Sequence, residues 1–279
     1  MTEKRCSEMA LFDCFERVRR QAPLVFCLTN AVTVTDCANI LLASGASPVM
    51  SLDPREASDM AKVSNAVVVN MGTPSSDSVQ AMLLAGRSAN ERGIPVVLDP
   101  VGAGATPLRA EIVSSLLASV RFALIRGNAS EIAFLAGEKF SGRGVDAGNG
   151  SELSAVSAAV QALARKTDAV VCASGPVDVV SDGRRTLYCR NGHPMMPRIT
   201  GSGCMSSALC GAFLGASPDA RFEAVSAAVA VMGISGQIAH KALRAGESAG
   251  TFRMRLIDAV ALFDETAWRE HADCEEVRP

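Results

Sequence analysis

Residues 198–217, RITGSGCMSSALCGAFLGAS, place a thiol directly after a glycine turn and ahead of a small, apolar, helix-spaced run. That arrangement sets Cys204 at the predicted start of a helix. There the unpaired backbone N–H groups and the positive end of the dipole suit an anion and lower a thiol pKa. Three readings stay open on the residues alone: an oxyanion cradle, an activated nucleophile, and a tight turn into a buried helix. Two other positions carry chemistry of the same kind. Arg126 ends the apolar run FALIR, where a solvated charge has no purpose and an anionic ligand would supply a partner. Asp99 follows PVVL and precedes PVGAG. It reads equally well as a turn aspartate bonding its own backbone and as a carboxylate holding Mg²⁺ through water, with Glu131 as its partner. In the stretch GNASE, Asn128 or Ser130 is placed to cap the next helix, with Glu131 in its first turn.

These residues need elements to carry them. Short β-rich runs at 65–72, 94–102, 121–128 and 168–183 alternate with helical patterns at 77–92, 109–118, 129–136 and 152–166. A hairpin turns at Asp182-Gly183, and from Cys204 onward three helical segments follow one another. Alternation of this type predicts an α/β fold, a mainly parallel central sheet with helices on both faces, and ligands at the carboxyl ends of its strands. The strand ends Asn70-Met71-Gly72, Asp99 to Gly102, Arg126 to Asn128 and Ser174-Gly175 are the candidates. A single domain over 1–279 is expected, with SGRGVDAGNG (141–150) as a mobile loop and a disordered acidic tail after Ala272.

Composition narrows the partners. The chain has 279 residues, 48% hydrophobic and 20% charged, with a net charge of −2. That balance gives no general attraction for nucleic acid or an acidic membrane surface. Nine cysteines lie scattered, mostly in apolar segments, without a C-x-x-C pair, and the three histidines are far apart in sequence. Reduced, buried thiols in a cytoplasmic protein are the expectation, with no structural zinc. The first twenty residues interrupt their apolar positions with Glu3, Glu8, Asp13 and Glu16, which favours an amphipathic opening helix over a targeting peptide. No stretch is expected to span a membrane.

Taken in order, the segments 29–50, 94–106, 125–137, 142–146, 177–183, 191–205 and 250–260 resemble the hydroxyethylthiazole kinases of thiamin salvage, within the ribokinase-like fold. The resemblance implies ATP- and Mg²⁺-dependent phosphorylation of 4-methyl-5-(2-hydroxyethyl)thiazole by a cytoplasmic homotrimer with sites between subunits. It assigns substrate contacts to Met50, Asn30 and Gly201, ATP contacts to Arg126 and Ser174, and the Mg²⁺ carboxylates to Asp99 and Glu131. Asn30 and Met50 are expected to complete a neighbour's site. Cys204 takes the place where related kinases keep an aspartate base toward the alcohol. The implied roles of its thiolate are to accept the alcohol proton or orient the alcohol. Four departures accompany the resemblance. Phe26 stands where His is frequent, and Ser202 replaces Thr. Ser174-Gly175-Pro176 replaces Thr-Gly-Glu, and SAGTF replaces Gly-Pro-Gly-Ser-Phe. A hydrate dehydratase on the same fold would keep an aspartate at Cys204, and a non-catalytic thiazole sensor would not need Arg126, Asp99 and Glu131 together.

Overall fold

The computed structural model describes residues 2–138 and 150–277. Nine strands form one sheet in the order β2-β1-β3-β4-β5-β6-β7-β8-β9. The ladder from β2 (Ser47–Met50) through β1 (Leu24–Leu28), β3 (Ala66–Asn70), β4 (Val96–Asp99) and β5 (Leu124–Asn128) to β6 (Val170–Ser174) is parallel. Antiparallel hairpins then add β7 (Asp178–Ser181), β8 (Thr186–Cys189) and β9 (Cys274–Val277).

Strand sequences explain this layering. AVVVN of β3 is buried along its whole length, with Val67 and Val69 in one core and Val68 in the other. Side chains alternate across a strand, so apolar residues at every position require cover on both faces. One face is covered by α3 (Pro54–Val63), α4 (Ser76–Glu91), α5 (Pro107–Ser119), α6 (Ala129–Ala136) and α7 (Gly150–Thr167). The other carries α1 (Thr2–Gln21), α2 (Val34–Ser44), α8 (Ser202–Ala216), α9 (Arg221–Lys241), α10 (Ala249–Ala261) and α11 (Glu265–His271). The expected mainly parallel, doubly covered sheet is therefore present. Within 168–183 the strand end at Ser174-Gly175 is realised: the turn at 175–177 folds β7 back along β6, and the hairpin at Asp182-Gly183 leads to β8. β1, β2, α2 and α3 were not separated by the sequence pattern.

Two expectations are overturned. The acidic tail is not disordered through residue 277. Cys274–Val277 pairs with β8, and Arg190 binds Glu275 at 2.8 Å. A helix long and apolar enough to cross a membrane does exist, α9, but 83% of its apolar window is buried within the protein. Small residues let it run through the core beside α1, α8 and α10. The expected mobile loop at 141–150 lies almost entirely outside the described residues.

A close approach between helix and sheet sits under α8. A Cβ on Gly211 would lie 2.6 Å from Val68 Cγ2 and 3.2 Å from Val25 Cγ1. Gly211→Ala gains about 1 kcal/mol of helix propensity but overpacks two stiff valines in the sheet, at about 1–3 kcal/mol. The expected net result is destabilisation, read as a lower midpoint in urea with unchanged m. A raised midpoint would show that α8 can lift from the sheet at little cost.

Candidate active site

β1 is followed by α2 and then β2 on one side of it, whereas β3 lies on its other side. The chain thus reverses direction between β1 and β3, with α2 and α3 on opposite faces. A crevice forms beyond the carboxyl ends of strands at such a reversal. Asn30 follows β1, Asn70 ends β3 and Asp99 ends β4, so the three side chains converge there.

The first turn of α8 closes over this point. Gly201 is the N-cap, with φ of 85°, and a Cβ there would meet Thr33 Cγ2 at 2.7 Å. It offers no capping side chain, so the first N–H groups of α8 remain available to an anion. Cys204 is the third residue of the helix. Its sulfur accepts hydrogen bonds from Asn30 Nδ2 and Asn70 Nδ2, both at 3.2 Å. The expected thiolate is not what this setting favours. Burial, and then the Asp99 charge, push the Cys204 thiol up. The bonds with Thr33, Asn30 and Asn70 pull it down without overcoming them. Desolvation next to a carboxylate outweighs the helix end, and the group is a thiol at neutral pH.

Asp99 is 3% exposed, and its Oδ2 accepts from Asn70 Nδ2 and Ser207 Oγ, each at 2.8 Å. Burial lifts its pKa to about 6; Arg126, Ser207 and Asn70 oppose the rise, and Glu131 adds to it. Glu131 closes a capping box with Asn128: its backbone N–H donates to Asn128 Oδ1 and its Oε2 accepts from the Asn128 N–H. Its Oε1 takes the Gly102 N–H at 2.8 Å. The capping reading of Asn128 and Glu131 is realised, and the Gly102 bond joins the ends of β4 and β5 besides.

Arg126, 9% exposed, donates from Nη1 to the Gly203 carbonyl at 3.0 Å, beneath the first turn of α8. Burial opposes its charge, yet Asp99, Cys172 and Asp178 outweigh it and the pKa rises. Its buried Nε has no hydrogen-bond partner among the described residues. Ser174 ends β6 beside Asn128 and donates to the Gly127 carbonyl at 3.2 Å. Met50 ends the edge strand β2 opposite Cys27, half-buried.

Several expectations change. Asn30 bonds the Cys204 sulfur of its own chain, at the start of α8. Phe26 is fully buried in the core beneath α3 and α4, because it shares a strand face with Leu28 and not with Cys27. The histidines are not all apart: His193 and His240 stack with ring centroids 3.5 Å apart. The eight cysteines with described side chains are all free thiols.

Two functional groups gave no sequence signal. Arg109, read as an ordinary helical residue, donates to the carbonyls of Met71, Val101 and Gly72 at 2.8, 2.6 and 2.7 Å. It clamps the loops after β3 and β4 together. Asp178 opens β7 and accepts from the Gly175 N–H at 2.9 Å, near Arg126. Only the adjacency of β5, β6 and β7, invisible in sequence, brings it there.

A family model for the hydroxyethylthiazole kinase family matches residues 15–265. This chain belongs to that family. The hydroxyethylthiazole kinase of Desulfovibrio desulfuricans is 45% identical over 279 residues, covering 95% of this chain and 98% of its own. That of Listeria monocytogenes is 44% identical over 265 residues, covering 95% and 97%. Among solved structures, a hydroxyethylthiazole kinase protein from Pyrococcus horikoshii superposes with a TM-score of 0.87 at 37% identity, covering 96% of this chain and 99% of that one. Pyridoxal kinase from Staphylococcus aureus, at 16% identity and a TM-score of 0.62, shares the fold. The molecule is therefore a kinase with a ribokinase-like architecture, as its segment order implied.

Burial also lifts the Asp178 carboxyl to about 6, against the Gly175 bond and the Arg126 charge, from an ordinary 3.8. The folded protein holds this proton up to about pH 6, whereas the unfolded chain releases it near 3.8. Between those values the folded state binds more protons, so stability falls as pH rises. Asp178→Asn keeps an acceptor for Gly175 and removes that titration. The melting temperature of the variant should decline less than wild type's across this window. A decline parallel to wild type's would contradict the raised Asp178 carboxyl.

Proposed function

We propose that this enzyme transfers the γ-phosphoryl group of ATP to the hydroxyl of 4-methyl-5-(2-hydroxyethyl)thiazole, in the cytoplasm, as the phosphorylating step of thiamin salvage. The observation that carries the reading is the meeting of the Cys204 sulfur and the Asp99 carboxylate under a helix N-terminus without a capping side chain, in a chain of this family. The reaction forms an oxygen–phosphorus bond to the alcohol and breaks the bond to the β-phosphate oxygen. ADP leaves with that electron pair, and the alcohol proton is released. Little covalent work falls to the protein, because phosphoryl transfer depends on placement and on stabilising charge.

The residues divide that task. N–H groups from Gly201 to Cys204 face the charge that develops on the transferring group. Arg126, held under the same turn, supports the phosphates with a permanent charge, and Ser174 borders the nucleotide from the end of β6. Gly201 and Asn30 border the substrate hydroxyethyl end, and Met50 the thiazole. Cys204, a thiol at rest, orients the alcohol; the charge of the departing proton need not rest on a strong base when the transition state is loose.

Magnesium fits the carboxylates as a largely hydrated ion. Both protein donors to Asp99 end on Oδ2, and both Glu131 oxygens already accept backbone N–H groups. Among the described residues no three His, Cys, Asp or Glu side chains form a closed cage. Such a site suits an ion that keeps its water and takes one or two carboxylates with substrate phosphates. When bound it would supply charge neutralisation at the phosphates, with Asp99 as the principal holder and Glu131 reached through water. A homotrimer with Met50 lining a site between subunits belongs to the same proposal, supported by the half-buried position of that residue on an edge strand.

Incubating the protein with the thiazole alcohol, ATP and Mg²⁺ should release ADP and thiazole phosphate in equal amounts, and a chelator should stop both. A folded protein that releases no ADP with this alcohol would overturn the reading. In the same assay Arg126→Ala should raise KM for ATP by about tenfold or more, the worth of a charged hydrogen bond, while KM for the alcohol stays within about twofold. Equal losses for both substrates would remove Arg126 from the nucleotide site.

A further inference from the structure

Among the described residues, Asn70 is the one side chain that hydrogen-bonds both the sulfur and the carboxylate. It is 1% exposed at the end of β3. Its Nδ2 donates to Asp99 Oδ2 at 2.8 Å and to Cys204 Sγ at 3.2 Å. Its Oδ1 accepts from Asn30 Nδ2 at 3.0 Å and from the Gly72 N–H at 2.9 Å. Two donated hydrogens and two acceptances use the full capacity of a carboxamide. The orientation is also forced. A flipped amide would turn its oxygen onto the Asp99 carboxylate and its NH₂ onto the Gly72 N–H, two repulsive contacts in a buried site.

Asn30 is fixed by the same logic. Its Oδ1 accepts from the Val32 N–H and from Thr33 Oγ1, both at 3.1 Å, so its Nδ2 must face Asn70 and the sulfur. The Cys204 sulfur therefore sits between two amide donors whose directions are set by other bonds. Its lone pairs are committed to them, and the S–H points away from both.

We infer that Asn70 is a positioning residue for the phosphoryl transfer. It fixes the Cys204 sulfur and the Asp99 carboxylate relative to each other through one rigid carboxamide. The inference rests on the kinase reading of this site. Asn70 need not touch either substrate; it acts through Cys204 and Asp99. A residue that merely filled the end of β3 would affect stability without being coupled to the sulfur.

The discriminating substitution is Asn70→Asp. It keeps an oxygen for Gly72 and Asn30 and, where the NH₂ met Cys204 and Asp99, sets a second carboxyl oxygen against the Asp99 carboxylate, so the donor is lost and a repulsion takes its place. With the thiazole alcohol at saturating ATP and Mg²⁺, kcat should fall by about 10- to 100-fold, as for loss of a buried donor, while KM for the alcohol moves by less than about threefold. In a Cys204→Ala background the same change should cost at least about fivefold less than it does in wild type, because one of its two partners is gone. Independent, multiplying effects would overturn the inference, as would a rise in KM matching the fall in kcat.

The S–H stretching band, isolated as the infrared difference between wild type and Cys204→Ala, should shift in Asn70→Asp. An unmoved band would overturn the inference without any reference to turnover. If Asn70→Asp does not fold, Cys204→Ser and Cys204→Ala decide the matter. Serine still accepts from both amides and should retain at least about tenfold more kcat than alanine; equal rates would overturn the inference. Wild type that makes no ADP from this alcohol would instead refute the proposed reaction, while the infrared arm still reports on Asn70.

Discussion

A carboxylate with 3% of its surface exposed must be given hydrogen-bond donors by the protein, and the supply to Asp99 shapes much of what surrounds it. One donor is Asn70, which needs the end of β3 to lie beside the end of β4. The other is Ser207, one turn into α8, which needs that helix to lie close on the sheet. The glycine under α8 at position 211 permits the approach by letting the helix touch Val68 and Val25. Arg126 adds a compensating charge from the neighbouring strand. The helix start that would hold a phosphoryl group is thus fixed by the same contacts that make a buried Asp99 tolerable.

This economy accounts for the state of Cys204. A helix N-terminus alone would favour the thiolate. Here the sulfur shares its space with a carboxylate, and two negative groups in one dry site are worse than one. Amides from Asn30 and Asn70 bind it whether or not it carries a proton. The site therefore tolerates a thiol at this helix start, and under the proposed reaction its part is to place the alcohol.

Much of this was legible in the chain because strand ends and helix starts have strict local chemistry. Asp99 before proline and glycines, Arg126 closing an apolar run and Gly201 to Cys204 opening a helix all announced themselves, and the structure brings Asn30, Asp99, Arg126, Gly201 and Cys204 together. What sequence could not show depends on which strands are neighbours. Asn70 read as one polar strand end among four; its importance follows from lying between β1 and β4 in the sheet. Arg109 stood only at the start of a helical pattern, since nothing local says that a long side chain will reach back to three carbonyls. β1 and β2 lacked punctuation of the usual kind, with a proline inside one and a short polar link after the other. The tail after Ala272 carries charge that suggests solvent, yet a four-residue strand needs only a waiting edge, which β8 provides.

The two outer strands of the sheet have a bearing on how the protein survives at high concentration. An open β edge invites pairing with another molecule, the first step toward fibrous aggregates. At one border Pro48 occupies the centre of β2 and lacks the N–H that a newcomer's carbonyl would seek. At the other, β9 is only four residues long, and so short an edge offers a newcomer few ladder bonds. Both borders of the nine-stranded sheet thus discourage the addition of a further strand of their own kind.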